Sequence, residues 1–138
     1  MDRHRSKWLG PLLAVPVLVV VMLVVAVGCD SPMSNSPANP DQAIPGSDPS
    51  AGKAAMTQYG CASCHVIPGV SGAHGTVGPP LTDFAKRQYV AGLLPNEPDN
   101  LMLWIRNPQS VIKGVAMPDM GVSEQDAKNI AAYLYTLK

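Results

Sequence analysis

The chain predicts an all-α domain of three to four helices, and three observations carry that expectation. Segments near 49–60, 97–107 and 123–137 place apolar residues at helical spacing behind residues that cap helices. No stretch alternates apolar and polar residues as a half-buried strand does. Between the first and second of these segments lies Cys61-Ala62-Ser63-Cys64-His65, whose two thiols and imidazole share one face when the backbone is helical. The domain, residues 48–138, is roughly ninety residues long, at the small end for a self-sufficient core.

Residues 1–28 read as a signal peptide. Arg3, Arg5 and Lys7 precede an almost unbroken apolar run from Trp8 to Val27, the charged-then-apolar pattern of an export signal. The run ends in Ala26-Val27-Gly28-Cys29, which resembles the lipobox of bacterial lipoproteins and implies lipidation of Cys29. An uncleaved membrane anchor is the alternative, because the run approaches the roughly 20 residues that span a bilayer, and Pro11 and Pro16 are tolerable in such a helix. Either way the domain is expected on the outer side of a bacterial cell membrane and tethered to it. Residues 29–47 hold the lipidated cysteine and a Pro/Ser-rich linker with Pro32, Pro37, Pro40 and Pro45. Such composition buries too little to offset its ordering entropy, so a flexible tether is expected.

The first helix opens with Asp48 as N-cap and Pro49 at its first position. It carries Ala51, Ala55, Met56 and Tyr59 up to Gly60. A shorter helix is expected over Thr82 to Tyr89. The second long helix starts at Asn96-Glu97-Pro98-Asp99, continues through Leu101, Trp104 and Ile105, and stops before Pro108. The last opens with a capping box, Ser123-x-x-Asp126, and its stripe is Ala127, Ile130, Ala131, Leu134 and Leu137.

Two thiols three apart followed at once by a histidine is the pattern of c-type haem attachment. Cys61 and Cys64 are expected to form thioethers with the haem vinyl groups and His65 to bring Nε2 to the iron. A dithiol redox motif calls for a βαβ setting that is missing here. Zinc needs four ligands, and beyond the motif the chain offers only Cys29, His4 and His74.

On these residues, 50–138 resembles a monohaem c-type cytochrome of the small His/Met kind, and the resemblance implies a fold built around one covalent haem c. It implies Gly52 at a close crossing of the first and last helices, facing Ile130 and Tyr133. The segment Asn107-Pro108 to Lys113-Gly114-Val115-Ala116-Met117-Pro118 is similar to the family's ligand loop, making Met117 the sixth ligand with Met120 as its rival. His74 as a bis-His partner is the less favoured reading against a solvated loop imidazole. Val77-Gly78-Pro79-Pro80-Leu81 is similar to the turn whose proline carbonyl holds the proximal histidine, with Pro79 in that place and Leu81 lining the haem. Trp104 and Ile105 fall where the family packs the methionine side. Arg87 and Lys86 are candidate partners of the propionates.

Residues 75–82, 94–101 and 104–109 resemble more closely the cytochrome c domain of haem-copper oxidase subunit II. That resemblance implies a carrier passing single electrons between a quinol-oxidising complex and a terminal oxidase, free or as a subunit, and not an enzyme in its own right. A haem peroxidase or a gas sensor with a displaceable methionine is the alternative. From Asp48 onward seven basic residues meet seven acidic ones, so neither a nucleic-acid partner nor strong electrostatic steering is expected, and no small-molecule substrate.

Overall fold

The computed structural model describes residues 40–138; the segment expected to be an export signal, residues 1–28, and Cys29 lie outside the described residues. Within them the order is α1 (Pro49–Gln58), β1 (Tyr89–Val90), β2 (Leu94–Pro95), α2 (Pro98–Arg106), α3 (Pro108–Val111) and α4 (Glu124–Leu134). Short 3-10 turns occupy Pro40–Gln42, Cys61–Ser63 and Phe84–Lys86.

The helix starts follow from capping chemistry. The Asp48 carboxylate accepts from Ser50 N at 2.8 Å and from Ser50 Oγ at 2.7 Å, and these bonds hold its carboxyl below the usual range. At α4 the Ser123 hydroxyl accepts from Asp126 N at 3.1 Å. The Asp126 carboxylate accepts from Ser123 Oγ at 2.7 Å and from Tyr59 Oη at 2.8 Å, so one side chain ties the start of α4 to the end of α1. Pro98 starts α2, which ends on Asn107. Pro108 then starts a further helix, α3, where only a loop was expected.

α1 crosses α4 at backbone contact. A Cβ at Gly52 would lie 1.9 Å from Asn129 O and 2.8 Å from Ile130 N, closer than any side chain allows. Buried Asn129 locks the crossing, its Oδ1 accepting from Asp48 N at 2.9 Å and from Gln125 Nε2 at 3.1 Å. The hydroxyl of Tyr133 donates to Pro68 O at 2.6 Å. Met56, Leu101, Ile105, Ile130, Leu134 and Tyr135 fill the core beneath, each large apolar side chain contributing about 1.5–3 kcal/mol.

Two expectations need correction. The helix over Thr82–Tyr89 is reduced to the turn Phe84–Lys86, because Asp83 is left-handed at φ 51° and Arg87 is extended. The side-chain amide of Asn96 takes the carbonyls of Phe84 at 3.1 Å and Arg87 at 3.0 Å, leaving Tyr89 and Val90 to pair antiparallel with Pro95 and Leu94. The ladder also qualifies the all-α expectation. The expected tether, moreover, is folded over 40–47. Gln42 Nε2 donates to Ala85 O at 3.0 Å, Ile44 packs against the core, and Gly46 O accepts from Gln125 Nε2 at 2.9 Å.

Candidate cofactor site

α1 stops at Tyr59, and Gly60, left-handed at φ 71°, turns the chain into the motif. Cys64 N and His65 N both donate to Cys61 O, at 3.2 and 3.1 Å, so a single tight turn performs the alignment expected of a longer helix. Both cysteines are free thiols, and burial pushes the Cys61 thiol above its ordinary range.

Cys61, Cys64 and His65 open on a cavity of about 570 Å³. Leu81, Phe84, Val90 and Trp104 are among its apolar walls, and Pro79, Arg87, Met117 and Met120 also line it. Met117 is half-buried and Met120 is 39% exposed.

His65 Nδ1 lies 2.8 Å from Pro79 O. A carbonyl only accepts, so Nδ1 is the donor in this contact, and a metal would be bound through the other ring nitrogen, Nε2. Gly78 N donates to Cys64 O and Leu81 N to Val66 O, both at 2.8 Å, which pins the Pro79 loop against the motif. A Cβ at Gly78 would sit 2.2 Å from His65 Cε1, and one at Gly75 would sit 2.4 Å from the carbonyl carbon of Cys64. The glycines are there for space.

Other expected residues fall elsewhere. Ile105 is buried in the core and is not on the cavity wall. Lys86 pairs with Asp83 at 2.5 Å and also lies off the wall. His74 is exposed, bridging to Val66 away from the cavity. Arg87 reaches the wall, with its guanidinium over the Phe84 ring at 5.1 Å and donating to Pro80 O and to Thr82 O, the latter at 3.2 Å.

Sequence reasoning passed over Tyr59, Phe84, Tyr89 and Val90 as lining residues. It also missed the close packing at Gly75 and Gly78, although the pairing of Gly78 with Pro79 marked a close backbone approach. Two free thiols, an imidazole whose Nδ1 is already hydrogen-bonded, and thioethers around an apolar cavity form a donor set that suits a covalent haem c.

The family model described as Cytochrome c matches residues 49–138. The chain is 39% identical over 88 residues to cytochrome c oxidase subunit 2 of Alkalihalophilus pseudofirmus, covering 63% of this chain and 25% of that protein. It is 31% identical over 88 residues to cytochrome c oxidase subunit 2 of Bacillus sp. (strain PS3), covering 61% of this chain and 25% of that one. The aligned part is thus a quarter of each relative's length. No solved structure matches the chain.

Proposed function

Because the chain belongs to the cytochrome c family, we propose that it is a one-electron carrier holding a single covalent haem c. Haem c, when bound, supplies the one-electron couple. Cys61 and Cys64 would hold it as thioethers, and His65 through Nε2 and Met117 through its sulfur would ligate its iron. The observation that carries this reading is the 2.8 Å bond from His65 Nδ1 to Pro79 O, which fixes the ring of a histidine that lines the same cavity as Met117. With His65 and Met117 both engaged in holding it, the group would offer no open position to a substrate. A methionine ligand would favour a raised potential, and the apolar walls would keep water out of the cavity. Among the described residues, no titratable side chain lines the cavity apart from His65, Arg87, the two cysteines and two tyrosines, which speaks against distal acid–base chemistry.

The kinship with oxidase subunits supports a place in a respiratory chain, between a quinol-oxidising complex and a haem-copper oxidase. Cys29 or the preceding apolar run would hold the domain at the outer face of the bacterial membrane.

Spectroscopy of the purified holoprotein tests the carrier reading. We expect one haem per chain by mass, low-spin spectra in both oxidation states, and the weak red absorption of sulfur-to-iron ligation when oxidised. Fast and complete carbon monoxide binding to the reduced protein at neutral pH would overturn it in favour of a peroxidase or gas sensor.

A further inference from the structure

The geometry points to Gln109 as the positioning residue that holds the Met117 loop on the cavity, a role that rests on the reading of Met117 as the sixth ligand. Gln109 is the second residue of α3 and its side chain is exposed. Its Nε2 donates to Val115 O at 2.8 Å and to Met117 O at 2.9 Å, while its Oε1 accepts from Gly114 N at 3.0 Å. Both amide hydrogens and the carbonyl oxygen are therefore spent on one loop.

The loop has little else. Among the described residues, no backbone-to-backbone hydrogen bond engages 116–120, and the turn before it closes through a long Val115 N to Ile112 O bond of 3.3 Å. The base of the clamp, by contrast, is firm. Pro108 is buried, Ile112 N donates to Pro108 O at 3.0 Å, and Ser110 Oγ donates to Asn107 O at 2.7 Å. One side chain thus transmits the position of a rigid turn to a loop that cannot hold itself. A thioether is a weak ligand, so the fraction of molecules with the sulfur away from the iron depends on how freely its loop moves. Gln109 keeps that fraction low, which separates a carrier from a protein that admits small ligands.

The test uses the holoprotein and two readouts, the rate of carbon monoxide binding when reduced and the sulfur-to-iron absorption band across pH when oxidised. Gln109→Ala is expected to speed binding about tenfold, the effect of losing one to two net hydrogen bonds, and to lose the band at lower pH than the parent. Gln109→Glu keeps an acceptor for Gly114 N but has no N–H for the two carbonyls, and should behave like Gln109→Ala. It also serves as the second variant should the alanine protein fail to fold. Met117→Ala and Met120→Ala are run alongside. A Met117→Ala protein that keeps the band sinks the ligand reading and the clamp with it. Parent-like binding and band in both Gln109 variants, with the band lost in Met117→Ala, overturn the clamp alone.

Discussion

At the scale of single residues, the site depends on what is left out. Gly78 has no side chain, and the imidazole of His65 occupies the space where its Cβ would be, with Cε1 at 2.2 Å and Nδ1 at 2.6 Å. Gly78→Ala must push the ring or the loop aside, and overpacking of this kind costs about 2 kcal/mol. The expected outcome is a lowered unfolding midpoint of the holoprotein together with a partial loss of its low-spin spectrum. Pro79→Ala is the contrasting case. The acceptor for His65 Nδ1 is a main-chain carbonyl, which alanine also has, so this variant should retain the low-spin spectrum. Equal spectral damage from both changes would show that ring rigidity at Pro79, and not the carbonyl, orients the histidine.

At the scale of elements, α1 and α4 meet with no room for adjustment. Gly52→Ala would place a methyl 1.9 Å from Asn129 O, an atom of the helix backbone that cannot rotate away, so the helices must separate at a cost of about 3 kcal/mol. Chemical denaturation followed by helical circular dichroism would read it. The two cap carboxylates make a pH prediction at the same junction. Hydrogen bonds from Ser50 lower the Asp48 carboxyl, and those from Ser123 and then Tyr59 lower Asp126. A carboxyl lowered on folding gives its full stabilisation above the ordinary carboxylate value and loses it as the pH falls through the folded value. The unfolding midpoint should therefore drop between about pH 4 and pH 2, and the double variant Asp48→Asn, Asp126→Asn should flatten that slope. An unchanged slope would assign the acid sensitivity to other carboxylates. These same elements were the most legible in the sequence, because Asp48-Pro49, Pro98 and Ser123-x-x-Asp126 are local signals that act within a turn of themselves. The hairpin was not legible. Its strands are two residues each, too short to show alternation, and its left-handed turn carries Ala91 at φ 54° before Gly92, where Asn or Asp would have announced it. The failure of the 82–89 helix had a tertiary cause, the capture of two of its carbonyls by Asn96. The placement of Ile105 in the core, with its neighbour Trp104 on the wall, depends on the rotation of α2, which periodicity alone leaves open. At the cofactor site, the motif and Pro79 were readable from local spacing and family resemblance, whereas the Gln109 clamp spans two elements and leaves no sequence trace.

At the scale of the whole domain, charge and apolar surface are arranged separately. From Asp48 onward seven basic and seven acidic residues cancel, and Arg87 is the sole Lys, Arg, Asp or Glu on the cavity wall, already engaged with Phe84 and two carbonyls. The large hydrophobic side chains that are both on that wall and well exposed are Val77 at 69%, Tyr89 at 54% and Met120 at 39%, with the small polar Ser63 exposed beside them. A partner that reaches the redox centre here meets no net field to steer it, whereas steered association gains about 10–1,000-fold in rate and loses that gain steeply with salt. The bimolecular rate of electron exchange with a membrane oxidase should therefore change by less than about threefold as ionic strength rises from about 0.02 M to about 0.3 M, a range over which the screening length shrinks from about 20 Å to about 6 Å. Burial of the exposed apolar rim, which salt does not weaken, would then carry the affinity, and Val77→Asp should slow exchange more than reversing a charge that is off the wall, such as Lys138→Glu. A fall of tenfold or more with salt, or a larger effect from Lys138 than from Val77, would move the docking face away from the apolar rim.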